Sequence, residues 1–231
     1  PSTAVASSVS VLTAEDLRAM QAIHLIDALR YLPGVEVNQT GRRGGVTGVF
    51  VRGAESKYNL VTLDGVKVND FGGSYNFTSL PAEQAERVEV VRGPQSAQYG
   101  SYAIGSAVHV VTPSGLDGRD LFASAEGGNF ATRRFTAGGG DRIGNLGIHA
   151  SASRFQTDGI AANDDSRIDN GRLKADYRMR RHRWQYSFLV NSNESGNPGA
   201  IGTDPAGTFR GLDSVTRTFE HYNVNSFRYD A

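Results

Sequence analysis

Few residues in this 231-residue sequence stand at the spacings that catalysis requires. The histidines, His24, His109, His149, His182 and His221, are scattered and form no HExxH or HxH pair. His109 lies in an apolar strand pattern, which favours a structural role over ligation. Gly100-Ser101-Tyr102-Ala103-Ile104-Gly105 has the wrong spacing for a nucleophile elbow. Gly138-Gly139-Gly140 lacks the Lys-Ser/Thr of a phosphate loop and reads as a connection between strands. The absence of cysteine excludes disulfide staples, thiolate zinc sites and a cysteine nucleophile. No enzymatic activity is expected.

Three groups of residues remain as candidates. Asn163-Asp164-Asp165 with Asp169, and Asp204 with Asp213 in a longer polar stretch, offer the oxygens a hard cation such as calcium wants. Their spacing is not that of an EF-hand, and a solvated acidic loop is the competing reading. Arg52 and Arg92 each end an apolar strand and precede a glycine. An arginine so placed is either solvated or a bidentate partner for a carboxylate. Gly41-Arg42-Arg43-Gly44-Gly45 and Asp70-Phe71-Gly72-Gly73-Ser74-Tyr75-Asn76-Phe77 are loops by composition.

Two kinds of element position these residues. Up to about Pro113 the chain reads as a small mixed unit of short strands and one or two helices. Thr13 is a helix cap with Asp16 as reciprocal partner, and Leu17 and Met20 share one face. Leu25, Ile26, Leu29 and Leu32 form a better amphipathic stripe, which Pro33-Gly34 ends. Strand candidates follow at Val35–Val37, Val49–Arg52, Leu60–Leu63, Val66–Val68, Val88–Val91 and Val108–Val111, after an earlier one at Val9–Leu12. Asp64-Gly65 between two apolar runs is a hairpin signal.

After Gly118 apolar and polar residues alternate with period 2. Leu173, Ala175, Tyr177 and Met179 alternate with Arg172, Lys174, Asp176, Arg178 and Arg180, and segments 146–156 and 183–191 follow the same pattern, although Leu189 breaks the polar side of the latter. Weaker strands are expected at Asp120–Gly127, Phe130–Gly138 and Phe219–Tyr229. Strands of roughly nine to eleven residues are what a tilted membrane strand needs. Their connections run long, short, long, as in an up-and-down barrel with one tight rim; a soluble sandwich or meander is the competitor. No apolar run is long enough for a membrane helix. The balance of 24 Lys plus Arg against 24 Asp plus Glu gives no reason to expect nucleic acid.

Taken in order, Leu29-Arg30-Tyr31-Leu32-Pro33-Gly34-Val35, Val51-Arg52-Gly53, Leu63-Asp64-Gly65-Val66, Val88-Glu89-Val90-Val91-Arg92-Gly93-Pro94 and Tyr99-Gly100-Ser101-Tyr102-Ala103-Ile104-Gly105 resemble the plug domain of TonB-dependent outer-membrane receptors. The match closes on Val111-Thr112-Pro113. The resemblance implies an α+β plug domain, a small mixed sheet with short helices, over residues 1–115. Antiparallel transmembrane β-barrel strands, about six of them, would occupy 116–231 and leave the barrel incomplete. Asn197-Pro198-Gly199, Thr203-Asp204-Pro205 and Gly211-Leu212-Asp213 are similar to loops of the branch that includes cobalamin receptors.

The resemblance further implies that Arg52 and Arg92 pair with glutamates on the inner barrel wall, beyond Ala231. It implies that Arg42, Arg43, Tyr75, Asn76 and Phe77 stand at outward-facing plug apices, the rings stacking on a flat chelate and the arginines meeting anionic groups. The expected partners are TonB with ExbB and ExbD, a metal chelate such as a ferric siderophore or cobalamin, and outer-membrane lipid or lipopolysaccharide. The expected location is the outer membrane of a Gram-negative-type bacterium. No cofactor is required, and a structural calcium is the one metal expectation. Val9 is preceded by no convincing TonB box or signal peptide, so both are expected upstream in a longer receptor. A ligand-sensing module, marked by an extra periplasmic domain, and a truncated non-transporting receptor are the alternatives.

Overall fold

A computed structural model of the chain describes residues 8–39, 45, 47–197 and 216–231. Arg42, Arg43, Asp204 and Asp213 lie outside the described residues, as do the loop motifs between 198 and 215. The chain divides into two compact units between Pro113 and Ser114.

The first unit is built on a five-stranded sheet of β1 (Ser8–Thr13), β6 (Arg87–Arg92), β7 (Ser106–Val111), β4 (Asn59–Leu63) and β5 (Val66–Lys67), in that spatial order. Strands β4 and β7 are parallel; the other neighbours are antiparallel. A separate hairpin pairs β2 (Val35–Gln39) with β3 (Thr47–Val51). Two short helices, α1 (Ala14–Ala19) and α2 (Leu25–Leu29), precede β2.

Local sequence explains these boundaries. Thr13 caps α1 through its Oγ1, which accepts from Asp16 N, while the Thr13 amide donates to the Asp16 carboxylate at 2.8 Å. That reciprocal pair holds the Asp16 carboxyl below its ordinary range. Met20 falls at the C-cap and is exposed, so only Leu17 of the expected pair is buried. Leu25, Ile26 and Leu29 are fully buried, and the chain turns at Gly34 with φ +70. Asp64 and Gly65 both have positive φ, as the mirror-image hairpin turn between β4 and β5 requires.

The second unit is a six-stranded antiparallel meander: β8 (Asp120–Gly127), β9 (Arg133–Ile143), β10 (Leu146–Thr157), β11 (Ser166–Met179), β12 (His182–Gly196) and β13 (Arg217–Asp230). It is an open sheet with β8 and β13 as its edges. The strands exceed their sequence spans because the outward side turns polar at Arg167 and Asp169 and the apolar–polar alternation stops, while the ladder of hydrogen bonds continues. Strand β9 starts at Arg133 rather than Phe130 because Phe130 and Ala131 both adopt positive φ. Gly138-Gly139-Gly140, expected between strands, lies inside β9. A β-carbon on Gly138 would stand 2.6 Å from Phe122 Cζ, and one on Gly140 would stand 2.9 Å from His149 Cδ2, so these glycines make room for two rings.

The turns 144–145 and 180–181 form a tight rim, and the connections 128–132 and 158–165 lie on the opposite side. Ser114 and Gly115, which fall before the boundary expected from sequence, already belong to this unit. The Ser114 hydroxyl donates to Asp176 Oδ2 at 2.7 Å. A β-carbon on Gly115 would collide with the backbone of Ile148 and Asp141, and one on Gly147 with the backbone of Leu116.

Candidate functional site

The strand sheet has inverted polarity. One face carries Arg134, Thr136, His149, Ser151, Asn170, Arg172, Lys174, Asp176, Gln185, Ser187, Asn191 and Asn193, all buried. The other carries Leu121, Phe135, Ile148, Leu173, Tyr177, Tyr186, Val190, Phe227 and Tyr229, all exposed. A water-soluble sheet buries its apolar face. A sheet that buries its polar face and displays its apolar one has hydrocarbon as its outer solvent.

Polar partners stabilise the protected face. His149 is 1 % exposed; its Nδ1 lies 2.9 Å from Arg172 Nη2 and its Nε2 lies 3.2 Å from Asp120 Oδ2. Guanidinium only donates, so Nδ1 accepts and Nε2 carries the proton directed at Asp120. Asp176, with no exposed side chain, accepts from Ser114 and from Arg183, whose Nη2 and Nε both reach Oδ1 at 2.8 and 3.2 Å. A buried carboxylate is stable there because both of its oxygens are bonded.

In the first unit Arg52 and Arg92 approach each other. A β-carbon on Gly34 would lie 3.6 Å from Arg52 Cγ and 3.9 Å from Arg92 Cδ. Arg92 is buried at the end of β6, its guanidinium donating to the hydroxyls of Ser8 and Ser10. Arg52 is exposed and adopts φ +52, followed by Gly53 in the same region. Burial first, and the Arg52 charge second, pull Arg92 below the ordinary arginine range. Among the described residues neither guanidinium has a carboxylate partner. Two neighbouring cations in this state make a site for an anion.

The Asp70–Phe77 segment differs from the sequence expectation. Tyr75 and Phe77 are 4 % and 2 % exposed and pack edge to face at 5.0 Å, so they are core residues of the first unit. Asn76 is a cap: its Oδ1 accepts from Thr78 N and from Thr47 Oγ1 at 2.9 Å. Spacing by two places Tyr75 and Phe77 on one side of an extended run, and the large apolar surface of that side goes inward. The ring the loop displays is Phe71, which is fully exposed. Gly73 N donates to Asp70 O, so Phe71 is the second residue of a tight turn, and the Asp70 carboxylate accepts from Ser74 N at 2.9 Å. Asn69 anchors the base, accepting from Val61 N and donating to Asn59 O and Gly73 O. At Gly73, φ +83, a β-carbon would lie 2.8 Å from Lys57 O. The turn signature Asp-x-x-Gly would have pointed to Phe71 over Tyr75.

Asp64 also has a role that its turn signature does not announce. Its Oδ1 accepts from the Thr112 amide at 2.9 Å and its Oδ2 from the Thr112 hydroxyl at 2.6 Å, all buried.

The acidic candidates do not converge on a cation. Asp165 pairs with Arg217 at 2.6 Å, and Arg217 also reaches Glu194 at 3.0 Å. Asp169 is held by Arg154 and Arg167, and Asp164 accepts from the Ile160 amide. Among the described residues no three His, Asp or Glu side chains group around a metal position. The positive charge beside Asp165 and Asp169 comes from arginine side chains.

Comparison with known proteins agrees with this geometry. Residues 1–107 match the family model described as the TonB-dependent receptor plug domain. The vitamin B12 transporter BtuB of Vibrio vulnificus strain CMCP6 is 37 % identical over 147 residues, which is 61 % of this chain and 24 % of that protein. Its counterpart in strain YJ016 is 43 % identical over 109 residues, 47 % of this chain and 18 % of the relative. The chain thus spans about a quarter or less of these relatives. Among solved structures, Pseudomonas aeruginosa FpvA bound to a heterologous pyoverdine superposes with TM-score 0.79 at 14 % identity, covering 98 % of this chain and 32 % of FpvA. The Escherichia coli ferric-catecholate import receptor Fiu gives TM-score 0.75 at 18 % identity, over 97 % of this chain and 36 % of Fiu.

Proposed function

We infer that this chain, which belongs to the TonB-dependent outer-membrane receptors, serves in its complete form to capture a scarce metal chelate and pass it inward at the expense of energy delivered by TonB. The observation that carries the reading is the inverted polarity of the six-strand sheet directly after a plug domain. A wall with a polar lumen and an apolar exterior, plugged by a separate folded unit, admits a large solute only when the plug rearranges.

The roles of individual residues follow. Phe71, held on a rigid turn, is the aromatic surface offered to a flat or macrocyclic ligand. Arg52 and Arg92 receive carboxylates of the barrel wall, an ion pairing that holds the plug without an apolar interface and so permits later movement. The ligand class is a cobalamin-like corrinoid or a ferric siderophore; identity to two vitamin B12 transporters favours the corrinoid.

Equilibrium binding to outer membranes bearing the full-length receptor tests this reading, with cyanocobalamin and a panel of ferric siderophores as probes. Saturable binding of one chelate, at nanomolar to micromolar concentration and absent from membranes lacking the receptor, is expected. Absence of binding to every chelate would overturn the ligand class.

A further inference from the structure

The tight rim of the strand sheet carries a concentration of charge that the uptake reading leaves unused. Segment 178–183 reads Arg178-Met179-Arg180-Arg181-His182-Arg183 and forms the turn between β11 and β12. Arg183 is committed to Asp176 at 2.8 Å. Arg178, Arg180 and Arg181 are exposed, and among the described residues none of them has a carboxylate within ion-pair distance.

Immediately next to this turn, on the apolar face, stands a cluster of rings. The register places Tyr177 beside Trp184 and Trp184 beside Tyr229. Their centroids are 5.7 and 5.6 Å apart. His182 stacks on Tyr229 at 5.8 Å, and its Nδ1 lies 2.6 Å from the Tyr229 hydroxyl. Beyond the rings toward mid-strand the same face continues as Ala175, Leu173, Tyr186, Phe188 and Val190. Amphipathic rings on a membrane strand settle at the level of the lipid headgroups. Arg180 and Arg181 lie three to four residues from Tyr177 and Trp184 along the two strands, about 3.4 Å per residue, which places guanidinium groups at the depth of the phosphates. Guanidinium binds phosphate in a planar, two-point fashion and keeps its charge at any relevant pH.

We propose that the Arg180-Arg181 turn and the Tyr177–Trp184–Tyr229 ring cluster form a headgroup site for an anionic phospholipid on the tight-turn side of the membrane. The phosphate pairs with the two guanidiniums, the glycerol region lies against the rings, and the acyl chains run along the Leu173–Tyr186 surface. This inference rests on the barrel reading of the sheet. It differs from general lipid solvation in requiring a preference for negative headgroups that depends on two named side chains.

The test uses the full-length receptor, reconstituted in bilayers of phosphatidylcholine containing a minor fraction of phosphatidylglycerol, and then extracted gently for lipid analysis by native mass spectrometry. Heat-dependent gel mobility, run in parallel, reports whether the barrel has inserted. The receptor is expected to retain phosphatidylglycerol over phosphatidylcholine. R180Q/R181Q is expected to reduce that preference roughly tenfold or more, and R180K/R181K to keep most of it, since each cation near a lipid surface contributes on a similar scale. An inserted receptor with no headgroup preference, or one whose preference survives R180Q/R181Q, overturns the proposal and leaves the barrel intact. A rim that in place of lipid captures a soluble acidic protein, with no headgroup preference, overturns it equally. A receptor that never inserts overturns the barrel reading and this site with it.

Discussion

Replacing Asp64 separates two roles that one residue performs. Its backbone occupies the left-handed region at φ +51, and its carboxylate accepts two buried hydrogen bonds from Thr112, at 2.9 and 2.6 Å. Bonds to a charged acceptor in a buried site contribute about 1.5–3 kcal/mol each, and two on one residue do not add fully. D64G keeps the turn geometry and loses both bonds. It should therefore weaken the attachment of the Thr112 segment by about 3–4 kcal/mol. D64A loses the same bonds and adds about 1 kcal/mol for a β-carbon in the left-handed region. D64N tolerates the backbone and still accepts from the Thr112 amide, so it should lose only about 1–2 kcal/mol. Hydrogen exchange read by mass spectrometry on peptides covering β7 and Thr112, in the full-length receptor in detergent, measures the effect locally. A loss of about 3 kcal/mol is roughly 150-fold faster exchange through local opening. D64G exchanging as slowly as the unaltered protein would show that the Thr112 bonds contribute nothing and that the turn alone accounts for the residue.

Three further outcomes follow from the same geometry. F71A should leave the melting behaviour unchanged while weakening chelate binding several-fold, the scale of one lost ring contact; F77A should do the reverse, destabilising the first unit by about 3–5 kcal/mol because its ring is buried. His109 is pulled below the ordinary histidine range, chiefly by burial, with its Nδ1 2.7 Å from Thr62 Oγ1. The unfolded chain therefore takes up the proton first, so plug stability is full above about pH 6.5 and falls as pH drops through the depressed folded value. H109Q should flatten that slope in denaturant titrations at stepped pH. L173R puts a charge on the outward face at mid-strand and should lower the stability of the inserted barrel by about 2–4 kcal/mol, read from urea titration in lipid vesicles; unchanged stability would argue that this face does not meet hydrocarbon.

Legibility from sequence followed the range of the interactions. The Thr13–Asp16 cap, the Asp64-Gly65 hairpin and the alternation of β10 to β12 are local patterns, and each is found where the residues place it. Strand ends were less legible: beyond the apolar band the outward side turns polar at Arg167 and Asp169, and only cross-strand pairing shows that the ladder continues. Which ring of Asp70–Phe77 is exposed was not legible, because composition marks the segment as a loop without saying which side faces inward. Tyr75 and Phe77 satisfy the core, and Phe71 is left at the turn. The partners of the described acidic candidates were hidden for a related reason. Asp165 meets Arg217 across 52 residues, a partner that no local window includes. Asp64 with Thr112 and Ser114 with Asp176 are likewise long-range pairs, invisible until the sheets assemble.

Under the proposed function, the complete receptor moves its ligand with energy supplied across the envelope. Accumulation of radiolabelled cyanocobalamin, or of a radio-iron siderophore found to bind, in cells expressing the full-length receptor tests it most directly. Accumulation is expected to stop on addition of a protonophore or on removal of TonB, while surface binding persists. Accumulation that continues unchanged without the proton gradient, or binding with no accumulation under any condition, would contradict it.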